Sequence, residues 1–270
     1  MTDADRLLAF IPAYNCGKQI ARVLQQFTGP IGARFEEVLV LDNGSSDDTV
    51  EAAEAASPVV RGPRVVIARN RENYGLGGSH KAVYEYATRE GFTHVVTLHG
   101  DDQGDVSDLE PVLDSGLHRR VDACMGARFQ RGARLEGYSR FRIVGNRVFN
   151  VWFSIAARHR VTDMGSGLNL LARSAFTAPI VRRHSDGLHF NPRLLLGMYG
   201  DGLQVSFVPI SWREDDQVSN VKMASQAAST FRVAWDYLVH RRRFAVEDQR
   251  DVVRETYPFD VMRVVEPATA

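Results

Sequence analysis

Val95-Val96-Thr97-Leu98-His99-Gly100-Asp101-Asp102-Gln103 joins an apolar run to a cluster of oxygen and nitrogen donors. The run reads as a buried strand, and the cluster falls at its carboxyl end. In an open α/β sheet that end faces the crevice where ligands bind. Carboxylate and amide oxygens suit Mg²⁺ or Mn²⁺, and those ions suit the phosphates of a nucleotide. An acidic turn after a strand gives the same pattern, so the stretch alone leaves both readings open.

The first half of the chain alternates short apolar runs with helical patterns. Strands are expected at Leu7–Ile11 (ended by Pro12), Glu37–Leu41, Arg64–Ala68 and Thr93–Leu98. Helices are expected at Gln19–Phe27, Thr49–Ala56 and Ser79–Glu90, with apolar residues at helical spacing in the first and last. Strands separated by helices of about ten residues predict right-handed βαβ units. The fold class is therefore α/β, a Rossmann-like domain with a mainly parallel central sheet flanked by helices. The first, second and fourth strands end in Pro12-Ala13-Tyr14-Asn15, Asp42-Asn43-Gly44 and His99-Gly100-Asp101. Such ends converge on one edge of a parallel sheet, and that coincidence weighs more than any single motif.

The second half is less regular. Ala123–Arg128, Gly167–Ala172 and Val205–Pro209 read as strands, and Phe141–Ala157 as a helix. Lys222–Arg242 reads as a long amphipathic helix closed by His240-Arg241-Arg242-Arg243. Neither repeats nor a low-complexity linker interrupt the 270 residues, 44% of them apolar, so one continuous domain is expected. The 33 basic and 33 acidic side chains cancel, and no overall field points to nucleic acid. Yet between His118 and Arg160 ten arginines face only Asp122 and Glu136. A solvated basic face accounts for this, as does an anion-binding wall built from forked guanidinium groups. The three lysines, Lys18, Lys81 and Lys222, stand out against so much arginine. Two distant cysteines, Cys16 and Cys124, imply neither a disulfide framework nor a metal-ligand spacing, which fits a reducing cytoplasm. No signal peptide and no apolar run of about 18 residues is present, so a soluble or at most peripheral protein is expected.

Several segments together resemble family 2 glycosyltransferases. They are Pro12-Ala13-Tyr14-Asn15, Leu41 to Thr49, Asn73-Tyr74-Gly75-Leu76-Gly77-Gly78 and the His99–Gln103 cluster. Gly126-Ala127-Arg128, Asp163-Met164-Gly165-Ser166-Gly167 and Arg213 with Ser219-Asn220-Val221-Lys222 look like the dolichol-phosphate mannose synthase branch. The likeness runs over roughly residues 6 to 222. It implies a GT-A fold, with residues 1–105 as the nucleotide-binding half, 106–222 as the acceptor half and 223–270 as a C-terminal helical extension. It also implies an inverting transfer of a sugar from a UDP- or GDP-sugar, with Mg²⁺ or Mn²⁺.

Carried over position by position, Pro12, Tyr14, Asn15, Asp42 and Asn73 match positions around the base and ribose. An Asx turn explains Asp42 as simply. Asp101 matches the second acid of the Asp-x-Asp motif that carries the metal, Gly100 lies beside it, and Gln103 matches a further ligand. His99 departs from the pattern by replacing the first acid; an imidazole ligates Mn²⁺ but removes a charge that Mg²⁺ prefers. Asp102 could compensate. Cys16 and Asn43 also replace acids usual in that branch. Arg128 and Arg140 match arginines facing the donor phosphates, and Arg213 and Lys222 a cationic pair closing over the site. Asp163 is the candidate general base toward an acceptor hydroxyl, or a turn cap; a phosphate acceptor, already ionised, needs no base.

Two acceptors fit: a polyprenyl phosphate, or a soluble small molecule. The basic-ended helix either lies on an anionic membrane surface or, more simply, packs on its own domain. A sugar-phosphate nucleotidyltransferase would need a glycine-rich basic loop where Pro12-Ala13-Tyr14-Asn15-Cys16 stands. A non-catalytic nucleotide-sugar binder is supported only by the missing acids at His99 and Asn43. A homo-oligomer is left open.

Overall fold

The computed structural model describes residues 5–214 and 223–267, without the side chains of 140, 141 and 223–226. In chain order it runs β1 (Leu7–Ala13), α1 (Gly17–Gln25), β2 (Glu37–Asp42), α2 (Thr49–Ala56), β3 (Arg64–Asn70), α3 (Gly75–Glu90) and β4 (His94–Leu98). There follow α4 (Glu110–Asp114), β5 (Ala123–Ala127), β6 (Arg134–Glu136), α5 (Arg140–Ala157), β7 (Leu168–Ala172), α6 (Arg173–Phe176) and α7 (Pro179–Arg183). The chain closes with α8 (Phe190–Gly200), β8 (Val205–Pro209), β9 (Ser211–Arg213), α9 (Met223–Val239), α10 (Arg241–Val246) and β10 (Phe259–Val265).

Among the described residues the main sheet has eight strands in the order β10-β3-β2-β1-β4-β7-β5-β8. Its heart, β3-β2-β1-β4, is parallel, as the alternation of strands and helices requires. β7 runs antiparallel between β4 and β5, and β8 is parallel to β5. The strands of the heart are apolar on both sides because both faces are covered. Leu8, Phe10, Leu39 and Leu41 pack into one core layer, while Ala9, Ile11, Val38 and Val40 pack into the other.

Two expectations for the C-terminal segment need correction. The long helix breaks at His240, whose backbone (φ −121°, ψ 43°) is not helical, giving α9 and α10. Nor is the segment past residue 222 helical throughout. β10 adds an antiparallel edge to β3, from Phe259 opposite Asn70 to Val265 opposite Val65, with an irregularity between Val261 and Arg263.

His80 and His184 lie wholly buried in the helical layer, and burial holds both imidazoles at about 3 instead of their ordinary 6.5. Below pH 6.5 the unfolded chain takes up protons that the folded chain excludes, so stability falls as pH falls. The slope approaches 1.4 kcal/mol per pH unit for each group. Between pH 7.5 and 5, urea unfolding is expected to lose about 2 kcal/mol per histidine. An unchanged midpoint would contradict their burial.

Candidate active site at the carboxyl ends of β1 and β4

β1 reaches the sheet edge with Pro12, a residue that cannot donate to a ladder. Its pairing with β4 ends at Phe10 opposite Thr97, so the missing N–H falls where no β4 partner is due. The Pro12 carbonyl instead accepts from Gly100 N–H at 3.1 Å. A Cβ at Gly100 would sit 3.0 Å from Cys16 Sγ and 3.1 Å from Pro12 O, so glycine allows this close approach of the two strand ends. Asn15 takes a left-handed turn (φ 51°) and accepts from Ser46 N–H at 2.9 Å, while its own N–H donates to Ser45 Oγ. The loops after β1 and β2 are thereby locked together.

Between these ends lies a cavity of about 400 Å³. Pro12, Tyr14 and Cys16 line it from β1, Asn43 from β2, Asn73, Leu76 and Ser79 from the start of α3, and His99, Gly100 and Asp101 from β4. Gly187 and Leu188 close the far wall. Tyr14 lines the cavity while staying half exposed. Burial pushes the Cys16 thiol up to about 12, and Cys124 likewise. Both thiols are therefore expected to resist a thiol-reactive disulfide dye at pH 8 in the folded protein and to react fully in urea. Rapid labelling of the native chain would contradict this.

Asp101 is the one carboxylate among the described lining residues. It is partly exposed, and its recorded hydrogen bond is from Gln103 N–H at 3.3 Å. His99 packs its ring on Gly167, where a Cβ would come within 2.9 Å of the imidazole, and its backbone N–H donates to Gly167 O. Its Nε2 is buried with no protein partner. Burial pushes the imidazole down from its ordinary value and so favours the neutral form that can ligate, while Asp101 pulls the other way. Gln103 Nε2 donates to Arg213 O at 3.1 Å, and Arg213 N–H donates to Gln103 O at 2.9 Å. Among the described residues no three His, Cys, Asp or Glu side chains converge as a metal cage. The donor set fits an ion that takes its remaining ligands from substrate phosphates and water, as Mg²⁺ and Mn²⁺ do.

Other expected residues fall elsewhere. Asp42 is fully buried and accepts from Ser45 N–H (3.1 Å) and Arg69 Nε (2.6 Å); it shapes the turn, and its neighbour Asn43 reaches the cavity instead. Asn43 is held by Asn70 Nδ2 and Tyr74 N–H, both at 2.9 Å, and donates to Asn73 Oδ1. Asp102, with a left-handed backbone (φ 59°), is no spare ligand, for its carboxylate accepts from Arg22 (2.6 Å), Gln26 (3.2 Å) and Arg213 (3.2 Å). Arg213 is thereby brought against the His99–Gln103 loop but does not itself line the cavity.

Asp163 is not poised as a base. Its two oxygens take Arg128 Nε at 2.7 Å and Nη2 at 2.9 Å, and Oδ2 also takes Arg128 N–H at 3.0 Å. The pair is buried, with the Arg128 guanidinium over the rings of Trp212 and Phe129. Neither residue lines the cavity. Lys222 and the side chain of Arg140 lie outside the described residues. Lys81 proves structural: buried in α3, its ammonium pairs with Asp186 Oδ1 at 2.6 Å and donates to His184 O. That anchor fixes the segment that delivers Gly187 and Leu188. The sequence reading did not include those two, because only the fold brings residues 187 and 188 beside β1.

The family profile described as "Glycosyl transferase family 2" matches residues 9–176. The glycosyltransferase AglJ of Haloferax volcanii is 27% identical over 82% of this chain and 68% of its own. The polyprenol monophosphomannose synthase of Mycolicibacterium smegmatis is 23% identical over 85% of this chain and 86% of its own. Among solved structures, the glucosyl-3-phosphoglycerate synthase of Mycobacterium tuberculosis with UDP superposes with a TM-score of 0.62 at 17% identity. That match covers 87% of this chain and 80% of the other, and another structure of the same enzyme holds Mn²⁺ as well. The shared architecture is the GT-A fold.

Proposed function

The chain belongs to glycosyltransferase family 2, and on that premise we propose that it transfers a sugar from a UDP- or GDP-sugar to the phosphate of a polyprenyl phosphate. The observation that carries this reading is the cavity in which Asp101 is the one carboxylate among the described lining residues, while Asp163 is tied to Arg128. An acceptor hydroxyl calls for a general base, and an acceptor phosphate does not. The synthase from Mycolicibacterium smegmatis, similar over most of its length, makes polyprenol monophosphomannose by its name, which supports this acceptor class.

In this reading Pro12 and Tyr14 flank the nucleotide base, and Asn43 and Asn73 offer amides to base or ribose. Asn15 and Asp42 act through the loops they fix. Asp101 and His99, with Gln103 behind them, would hold Mg²⁺ or Mn²⁺, whose charge offsets that of the diphosphate when bound. Gly100 leaves room for the phosphates. A phosphate oxygen of the acceptor attacks the anomeric carbon in line as the bond to the nucleotide's terminal phosphate breaks. The bonding pair leaves with the nucleoside diphosphate, the configuration inverts, and no proton has to move. Arg213, beside the same loop, with Lys222 and Arg140, stabilises the charge that grows on the leaving group. Arg128 and Asp163 are positioning residues beneath it.

The test is a panel of nucleotide sugars with Mg²⁺ or Mn²⁺, reading released nucleoside diphosphate with and without a short-chain polyprenyl phosphate. One donor consumed faster when the lipid phosphate is added, and spared by a chelator, is expected. Stimulation by phosphoglycerate and not by the lipid would move the acceptor to the small phosphorylated class.

A further inference from the structure

Two neighbouring helices turn apolar side chains to solvent. On α5 they are Val144, Val148, Val151 and Ile155, spaced 4, 3 and 4 residues apart and so on one stripe. On α9 they are Phe231, Trp235 and Val239, again on one face, while Val233, Ala234 and Tyr237 pack inward. All seven are between 46% and 64% exposed. Trp152 joins the helices, stacking on Phe231 at 4.5 Å and on Trp235 at 6.1 Å, with its Nε1–H donated to Phe231 O. A continuous apolar face carrying aromatic rings is not what a solvated surface needs.

The charge around it is mainly positive, with Asp201 and the half-buried Asp236 of α9 as the acids nearby. Residues 140–160 contain five arginines and no acid. Exposed Arg147, Arg158 and Arg160 border the α5 stripe, and exposed Arg232, Arg241 and Arg242 border that of α9. Arginine stems cover apolar surface while their heads reach for anions. The face also adjoins one wall of the cavity and the segment that packs on the loop after β4. Leu188 lines the cavity, and the next residue, His189, meets Ser229 of α9 at 2.8 Å. Toward that loop, Arg142 of α5 pairs with Glu214, next to Arg213, at 2.6 Å.

We propose that the α5–α9 face is a membrane-docking surface that seats on an anionic bilayer and presents the cavity to a lipid-borne acceptor. No helix of the described chain is long and apolar enough to cross a membrane, so contact of this kind lies in the interface plane. Apolar side chains and the Trp152 and Trp235 rings enter the headgroup boundary, and the arginines meet lipid phosphates. The proposal rests on the polyprenyl-phosphate reading above, yet the binding can be measured apart from it.

The experiment is co-sedimentation, without donor or acceptor, on phosphatidylcholine vesicles with and without phosphatidylglycerol, at low and high salt. Wild type is expected to sediment with the anionic vesicles and to be released by salt. Val148→Glu/Val151→Glu, both on the exposed stripe, is expected to bind at least about tenfold more weakly, since charges enter the apolar boundary. It should keep its unfolding midpoint and its turnover of a short-chain acceptor in detergent. Wild type remaining in the supernatant, or the double variant sedimenting as wild type does, would overturn the proposal. So would a wild-type dimer that the double variant splits, which would make the face a contact between copies. Transfer to the detergent-borne acceptor, scored separately, reports on the polyprenyl-phosphate reading alone.

Discussion

Asp101→Ala is expected to lower donor turnover by about 10²–10³-fold, the loss that follows removal of one preorganised charge-stabilising group. The thermal unfolding midpoint should stay within about 2 °C of wild type, because a partly exposed side chain with one weak hydrogen bond contributes little to the fold. The neighbouring acid provides the contrast. Asp102 is buried and holds Arg22, Gln26 and Arg213, so its removal strikes stability as well as activity. If Asp101→Ala turned over donor at the wild-type rate, the metal and phosphate site would have to lie elsewhere. Calorimetry with UDP and GDP in the presence of Mn²⁺ reads the same substitution independently of turnover.

The second large effect concerns stability. Arg128→Ala or Asp163→Ala each leaves one member of a buried ion pair without its partner, at a cost of about 3–5 kcal/mol. For a chain of this size that lowers the unfolding midpoint by roughly 10 °C. Burial works against the Arg128 charge, but Asp163 more than offsets it and raises the guanidinium pKa. Arg128→Met/Asp163→Leu removes both charges together and is expected to recover most of the loss, since the rings of Trp212 and Phe129 can receive an apolar chain. Differential scanning fluorimetry of the three variants decides the matter. Singles that melt with wild type while losing turnover would restore Asp163 to the role of a base and contradict the pairing described here.

Much of this was legible in the residues. Thr49–Ala56 and Val205–Pro209 are bounded as their patterns predict, and the parallel heart follows from apolar runs that admit no polar face. The convergence of three polar strand ends followed from topology alone, because parallel strands connected by helices place their carboxyl ends together. What was not legible is which of two adjacent polar residues faces the ligand. Asp42 and Asn43 look interchangeable on paper; the turn takes the carboxylate and leaves the amide to the cavity. The same holds for Asp101 and Asp102. The partners of Asp163 and Lys81 lie 35 and 105 residues away, beyond the reach of any periodicity. β10 was missed because it is an edge strand with most of its side chains exposed, so no alternation of buried and exposed residues marks it. Its Val261, Val264 and Val265, following Pro258, carried a weak strand signature.

Transfer without a general base requires an acceptor that brings its own charge. The most direct test offers the enzyme polyprenyl phosphate and the polyprenol of the same chain length, each with the preferred nucleotide sugar, and identifies the products by mass spectrometry. Sugar on the phosphate and none on the alcohol is the expected result. Comparable transfer to the alcohol would require a general base that the cavity described here does not offer, and would contradict the reading.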